Sequence, residues 1–442
     1  MRLPSLKLAS LDIKTLSGYG VALGCALFLL ALIPGLGGLL ILSGMVYWAV
    51  FVSAWQRLNR RNKRQCGFLL VVGVVALVVA VFTDVTVPVF SLLQGNLAIV
   101  AMLTGVSLLG LLPDSTKPKP PMTGVKGFAS TWASIQLLGA VINMSAVFVV
   151  GDKLQRQSGQ LSGPQYSILV RALTSAGWWS PFFASVAVAL SIAPDAEFHH
   201  LAVIGLPLSI MACALSCWEF KRSGQIEAFQ GFPLSVSSLA FPVLLAALVL
   251  IFHYFVMPEA AILSIVTLLS PISVVLFLFL RGGPRHTRQR LRDHAHIRLP
   301  NMANEVSLFL AAGFLSTTVS LALQGLLGEG WSLFDHFGFF EAYLCFLVIC
   351  GISLMGLHPI VGISLMSSMV PASGADNTLL AFVSLCTWAV GTAISPLSGI
   401  NLSVAGKYGA DNFAIARSNW FYGALMAGVV ALAMLVLTWT LP

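Results

Sequence analysis

Apolar runs follow one another along the whole chain, and they limit the possible folds more than any other feature. A helix needs about 17 to 25 apolar residues to cross a bilayer. Only 9% of the residues are charged, against roughly 25% in a soluble domain. The sequence therefore predicts an all-α polytopic membrane protein. Its thirteen apolar runs lie at 19–35, 38–55, 67–83, 95–112, 129–150, 167–192, 201–217, 236–256, 259–280, 303–327, 340–370, 378–406 and 420–441.

Four of these runs are interrupted, and the interruptions recur at one spacing. Asn143-Met144-Ser145 interrupts one run, and Ser180-Pro181 interrupts the next, 37 residues after Asn143. His358-Pro359 and Ser395-Pro396 repeat this arrangement, again with 37 residues between His358 and Ser395. Broken apolar segments at corresponding positions of two halves point to a transporter binding site.

The placement of Lys and Arg predicts how the runs cross the membrane. Cytoplasmic loops hold most Lys and Arg residues, yet thirteen single crossings would put basic loops on both faces. If 129–150 and 340–370 are re-entrant hairpins, about 11 transmembrane helices remain and 23 of the 24 Lys and Arg residues become cytoplasmic. The remaining one, Arg171, lies inside an apolar run. This topology has a cytoplasmic N-terminus and an extracytoplasmic C-terminus.

The same topology predicts two inverted repeats. We expect an N-terminal helix at 1–36, a first repeat at 37–220 and a second repeat at 221–442. Each repeat holds three scaffold spans, one hairpin, one broken helix and a final span, so the two hairpins open to opposite faces. We expect no cleavable signal, because no small-residue cleavage site follows the first run. A bacterial inner membrane is the expected location.

The interruptions themselves indicate an anion site. An unsatisfied backbone N–H or C=O costs several kcal/mol in hydrocarbon, so broken backbone survives there only within protein or beside a wet cavity. Serine caps helices and proline suits their first position, so Ser-Pro predicts the start of each second half-helix. Four helix N-termini, each with free N–H donors and partial positive charge, would then meet near the bilayer midplane.

The candidate substrate-binding residues follow from this reasoning. They lie at the two hairpin tips and the two helix breaks: Asn143, Ser145, Ser180, Pro181, His358, Pro359, Thr392, Ser395, Pro396, Ser398 and Asn401. Asn143 either contacts the solute or bonds its own hairpin backbone. His358 either donates to the anion, carries a coupling proton or is a buried histidine with its bonds satisfied.

Three further features have alternative explanations. Arg171 either snorkels to the cytoplasmic surface or acts electrostatically in the solute path. The basic segment 281–300 is expected to be a solvated loop facing lipid. Cys213 and Cys217 share a helix face, but no nearby His or carboxylate completes a metal site, so no metal or other cofactor is predicted.

With these residues in place, the layout resembles the ion-transporter superfamily, in particular its dicarboxylate and citrate symporter and arsenite-efflux branches. The resemblance implies an elevator-type mechanism, a homodimer formed through the scaffold spans, and solute and coupling cation bound at the tips and breaks. The dicarboxylate branch carries Ser-Asn-Thr at these positions, whereas this chain has Asn143-Met144-Ser145 at one tip. Substrate and coupling ion therefore stay open.

The leading function is a secondary active transporter for a small anion, a carboxylate first, driven by protons or sodium. An efflux pump for arsenite or tellurite and a membrane subunit of a binding-protein-dependent transporter are the alternatives. We expect no enzyme, because the sequence shows neither paired intramembrane carboxylates nor a His-Glu-x-x-His motif. A passive channel suits two opposed hairpins less well. The net charge of +8 comes from Lys and Arg residues expected on the cytoplasmic side, next to membrane lipid. It does not indicate nucleic acid.

Overall fold

The chain folds into an almost entirely helical structure. The computed structural model describes residues 13–112, 122–233, 240–370 and 376–440. Within these ranges only two two-residue strands depart from helix and turn, β1 (Met122–Thr123) and β2 (Gln230–Gly231), which pair antiparallel. Ten helices there are long and apolar enough to cross a membrane. The protein is therefore an all-α polytopic integral membrane protein.

The first half of the chain contains ten helices in the described ranges: α1 (Ile13–Ala31), α2 (Leu39–Ala54), α3 (Arg60–Phe82), α4 (Val89–Leu92), α5 (Leu97–Ser107), α6 (Gly124–Ile142), α7 (Met144–Ser158), α8 (Gly163–Ala176), α9 (Ala184–Ile192) and α10 (Phe198–Arg222). A 3-10 turn, Leu108–Leu111, extends α5. Residues 113–121, between this turn and β1, lie outside the described residues.

The second half contains ten more: α11 (Ala240–Ile251), α12 (Ile262–Asp293), α13 (Leu299–Asn301), α14 (Ala303–Leu327), α15 (Phe339–Leu354), α16 (Pro359–Met369), α17 (Asn377–Ile394), α18 (Gly399–Tyr408), α19 (Asn412–Ser418) and α20 (Trp420–Thr440). Two π-helical turns, Phe252–Val256 and His294–Arg298, follow α11 and α12.

Helices of the first half pack against helices of the second half. α3 packs against α14 of the second half, and α5 packs against α12. Within the halves the neighbours also correspond: α6 packs on α8 as α15 packs on α17, and α8 packs on α10 as α17 packs on α20.

α17 lies at the centre of the molecule. Every side chain from Leu379 to Ile394 is buried, and the helix contacts α8, α9, α15, α16 and α20. α3 and α10, in contrast, leave many large apolar side chains exposed, as lipid-facing helices do. The buried helix is the one that carries the second chain break, so that break is surrounded by protein, as broken backbone in a membrane requires.

Chain reversals follow α6 and α15. α6 and α7 contact each other across a turn at Asn143, and α15 and α16 contact each other across residues 355–358. At the first turn Asn143 has φ 51° and ψ −135°, a region that few residues other than glycine enter, although asparagine is enriched at positive φ. Gly356, with φ +98°, serves the second turn.

The basic segment 281–300 is helical, so the expectation of a loop is wrong. α12 continues past its apolar part to Asp293, with a kink at Gly283 (φ 71°, ψ −179°), and the chain then runs through the π-turn into α13. The segment packs against α1, and this contact supplies the tertiary stabilisation that sequence periodicity alone does not reveal.

Candidate functional site

A cavity of about 330 Å³ lies where the hairpin turns and the chain breaks meet. This volume is within the usual range of small-molecule sites. Four of the predicted residues line it, namely Asn143, Ser145, His358 and Thr392. The other seven do not line it: Ser180, Pro181, Pro359, Ser395, Pro396, Ser398 and Asn401.

The first turn is tied to the first break. Asn143 occupies the N-cap position of α7, but its side chain does not cap that helix. Its Nδ2 instead donates to the Phe182 carbonyl oxygen at 3.0 Å. Met144 and Ser145, the first two residues of α7, line the cavity, and the start of this helix has no side-chain cap. The free N–H groups of that start are therefore available to a ligand.

The first break is longer than predicted, and Ser180-Pro181 does not open the second half-helix. α9 begins only at Ala184, because the two residues sit in a turn closed by the Phe183 N–H donating to the Ser180 carbonyl at 3.1 Å. The Ser180 hydroxyl donates to the Ala140 carbonyl of α6, which ties the break to the first hairpin. Phe183 and Ala184 line the cavity, and α9 also lacks a side-chain cap.

The half-helix before the first break ends at Gly177. Gly177 is the C-cap of α8, with an ordinary φ of −64°. A Cβ at this position would lie 2.8 Å from the Ser185 Oγ of α9. Glycine is needed here because the two half-helices approach closely.

The second turn places His358 on the cavity wall. His358 is the N-cap of α16, and its Nδ1 accepts from the Ile360 N–H at 3.2 Å, with Pro359 as the first helical residue. Because Nδ1 is the acceptor, the ring proton of the neutral side chain resides on Nε2. The ring meets Trp388 edge-on, with centroids 5.0 Å apart. His358 therefore keeps one N–H donor for a ligand.

The second break repeats the first. Ser395-Pro396 opens a turn, with the Ser398 N–H donating to the Ser395 carbonyl at 3.2 Å, and α18 begins at Gly399. The predicted start at Ser395-Pro396 is thus wrong by about one turn. Ser398 is the residue that caps α18, since its Oγ accepts from the Asn401 N–H at 3.3 Å.

Three buried oxygens at the second break have no hydrogen-bond partner among the described residues: Thr392 Oγ1, Ser395 Oγ and Asn401 Oδ1. Asn401 is held against this break, because its Nδ2 donates to the carbonyls of Ala393 (3.1 Å) and Ser395 (2.8 Å). Buried polar groups are normally paired. Hydroxyl and amide oxygens can coordinate a small cation, and the two hydroxyls can also donate to an anion.

The cavity also contains charged residues that the sequence reasoning missed. Arg61 of α3 and Arg298 line it together with one carboxylate, Glu305. Arg61 donates through Nη2 to the Gly356 carbonyl at 3.3 Å, while its Nε is buried with no partner among the described residues. Gln65, one turn further on α3, donates to the same carbonyl at 3.0 Å. The only signal in the sequence was the occurrence of polar residues at the ends of apolar runs.

Arg171 lies away from the cavity. It neither snorkels nor lines the cavity: the side chain is fully buried and paired with Glu219, Nη1 to Oε2 at 2.6 Å. Nε donates to the Asn419 Oδ1 at 2.8 Å and Nη2 to the Ser418 carbonyl at 2.7 Å. The guanidinium also lies 4.6 Å from the centroid of the Tyr422 ring. Arg171 joins α8, α10 and the start of α20.

One group of metal-ligating side chains occurs elsewhere in the described ranges. Glu197, His199 and His200 lie close together at the start of α10, all exposed, with the His199 Nδ1 3.0 Å from the Glu197 Oε2. The partial positive charge of a helix N-terminus disfavours a cation at this position.

Comparison of the chain with protein-family models found no matching family, and comparison with curated proteins found no matching sequence. The geometry of the cavity is therefore the basis on which a function is inferred.

Proposed function

We propose that the protein is a secondary active transporter of a small anion, with a carboxylate as the first candidate, built on the architecture of the ion-transporter superfamily. One observation carries the proposal: a single cavity is lined by both hairpin turns, by both chain breaks and by two arginines against one glutamate. Sites of this kind in inverted-repeat transporters form where broken helices meet.

Positive electrostatic potential in the cavity favours an anion. The uncapped starts of α7 and α9 face it through Ser145 and Ala184, and each helix start contributes about half a positive charge. Arg61 and Arg298 add two full charges, which Glu305 offsets in part. The unpartnered Nε of Arg61 and the Nε2–H of His358 are donors suited to a carboxylate or an oxyanion.

The unpaired oxygens of Thr392, Ser395 and Asn401 support sodium rather than protons as the coupling ion. Oxygens from unwound backbone and neighbouring side chains coordinate Na⁺ in transporters with broken helices. Thr392 also lines the cavity, so a cation at these oxygens would lie beside the bound anion. Its charge would offset that of the anion and couple the two binding events.

The packing of helices across the two halves supports an alternating-access mechanism. We infer that α3, α5, α12 and α14, which pack across the two halves, form a static scaffold, and that the hairpins and broken helices around α17 move as one body. Re-entrant hairpins, inverted repeats 37–220 and 221–442, a homodimer through the scaffold and a bacterial inner membrane complete the proposal.

Uptake into proteoliposomes tests the function. Labelled mono- and dicarboxylates, arsenite and tellurite should be offered under separate sodium and proton gradients. We expect uptake of a carboxylate under a sodium gradient and none without a gradient. Equal flux in both directions without any gradient would indicate a channel, and uptake of no anion at all would overturn the proposal.

The two break serines should behave differently when truncated. Ser395→Ala removes an oxygen with no partner in the described part of the chain, so the free energy of unfolding should change by less than about 0.5 kcal/mol. The sodium concentration for half-maximal uptake should rise at least about tenfold, since a ligand of the cation is lost. An unchanged sodium requirement would remove Ser395 from the cation site.

Ser180→Ala is the matched control. It removes the hydroxyl that donates to the Ala140 carbonyl, so it should lower the free energy of unfolding by about 1 kcal/mol. Sodium dependence should stay as in the wild type, because Ser180 lies at the other break.

The proposed topology predicts which loops a reagent can reach. A single cysteine at Glu329, after α14, should react with a membrane-impermeant maleimide added outside intact cells. A cysteine at Gln289 should react only after the membrane is permeabilised. Both positions are exposed, and the native cysteines in the described ranges are buried or half-buried, which keeps background labelling low. Reaction of Gln289→Cys in intact cells would reverse the orientation.

A further inference from the structure

The basic segment 281–301, which contains the end of α12 and α13, begins at the level of the membrane surface. The apolar part of α12 runs from Ile262 to Leu280, about 28 Å at 1.5 Å per residue, which is close to the thickness of the hydrocarbon core. Exposed apolar side chains continue up to Phe279 and Leu280, and Arg281 is the first charged residue after them. α14 then crosses again, so residues 281–302 stay at one surface.

Three arginines form one stripe on this segment, and a fourth precedes it. Arg285, Arg288 and Arg292 are spaced at i, i+3 and i+7, which places them on a common helix face, whereas Arg281 lies before the kink at Gly283. All four are exposed. Residues 281–301 hold six arginines and one acidic residue, Asp293. The stripe is therefore a dense positive surface within the headgroup region.

The opposite face of this segment packs against the rest of the protein. The His294 Nε2 is 2.9 Å from the Ser107 hydroxyl, and the His296 Nε2 is 2.8 Å from the Tyr19 hydroxyl. The Arg290 Nη2 donates to the Leu111 carbonyl at 2.9 Å. In the described ranges, by contrast, no carboxylate lies within salt-bridge distance of the stripe arginines. One face is fixed to α1 and the end of α5, and the other is left charged.

We propose that this arginine stripe binds the phosphate groups of anionic phospholipids in the surrounding leaflet. Guanidinium groups bind phosphate oxygens in bidentate geometry, and a basic residue near an anionic surface contributes about 1 kcal/mol. The charge density, the depth beside Leu280 and the absence of acidic partners among the described residues favour lipid headgroups over a protein partner. Arg281, just before the stripe, lies over the Phe277 ring, 4.8 Å from its centroid, and adds a further positive charge at the same surface.

The stripe is connected to the cavity by the chain itself. Arg298 and Asn301, which line the cavity, follow Arg292 within three helical turns. Lipid binding would thus hold one wall of the cavity at the membrane surface. This consequence rests on the proposed transport function, whereas lipid binding does not, so the two are tested by separate measurements.

The amount of phospholipid that stays bound to the purified protein tests the proposal directly. The full-length protein, purified in mild detergent, is mixed with equal amounts of phosphatidylglycerol and phosphatidylcholine, and the bound lipids are counted by native mass spectrometry. We expect the wild type to retain phosphatidylglycerol preferentially. Arg285→Gln with Arg288→Gln should lower that preference about 25-fold, or fivefold per arginine. The same two positions changed to lysine should keep most of it, because the charge remains.

A charge-matched control distinguishes the stripe from net charge. Arg156→Gln with Lys221→Gln removes two exposed positive charges elsewhere and should leave lipid preference within about twofold of the wild type. Thermal unfolding of each variant checks that the fold is retained. The proposal fails if the wild type shows no preference, if the two double glutamine variants lose it equally, or if the lysine variant behaves like the glutamine variant.

Discussion

Arg171→Met should lower the free energy of unfolding by about 3 kcal/mol or more, because it leaves the carboxylate of Glu219 without its partner. The pair is short, at 2.6 Å, and the arginine side chain is fully buried. Arg171 also satisfies the Asn419 side chain and the Ser418 carbonyl, so three helices lose a common contact. Thermal unfolding in detergent, followed by tryptophan fluorescence, measures the change.

Two further variants identify the cause. Arg171→Met with Glu219→Leu removes both charges and should recover part of the lost stability, since a buried pair can be replaced by apolar residues at little cost. Lys407→Met breaks the half-exposed pair with Asp152 and should cost no more than about 1 kcal/mol. A double variant less stable than Arg171→Met would contradict this account. Retained anion uptake in the double variant would confirm that Arg171 is structural.

Arg61→Gln and Arg298→Gln should each raise the anion concentration for half-maximal uptake by about 10- to 150-fold. This range corresponds to the loss of one charged hydrogen bond, about 1.5 to 3 kcal/mol. Arg61 should have the larger effect, because its Nε is already buried without a partner among the described residues. Its removal leaves the second hairpin attached, since Gln65 still donates to the Gly356 carbonyl. Uptake kinetics in proteoliposomes provide the measurement.

A second arginine on α3, Arg64, provides the control for Arg61→Gln. Arg64→Gln makes the same charge change within one turn of Arg61, but Arg64 is exposed and does not line the cavity. Its uptake kinetics should match the wild type. Equal losses in Arg61→Gln and Arg64→Gln would show that long-range charge, rather than contact with the anion, controls uptake.

The class of the protein and the position of its chain breaks could be predicted from the sequence. Long apolar runs with few charges leave a helical membrane fold as the consistent solution. Proline has no N–H to donate, so Ser180-Pro181 and Ser395-Pro396 mark positions where helical bonding stops. The turn at Asn143 was likewise visible as a polar interruption of an apolar run.

The start of each second half-helix could not be predicted. A serine can cap a helix or close a turn before it, and local sequence does not distinguish the two. In both breaks the turn forms, because the serine carbonyl accepts a hydrogen bond from the N–H of the residue three positions later. The helix then begins at Ala184 or Gly399. Which serine hydroxyls remain unpaired also depends on neighbouring helices, as Ser180 and Ser395 illustrate.

By itself the sequence determined that the chain lies in a membrane and where its helices break, because both depend on the chemistry of adjacent residues. The tertiary structure decided which side chains share one cavity. Arg61, Arg298 and His358 are far apart in the chain, and only the packing of α3 against α14 and of α16 around the central helix α17 brings them together. Arg171 and Glu219 show the same dependence, since their ion pair exists only where α8 and α10 meet.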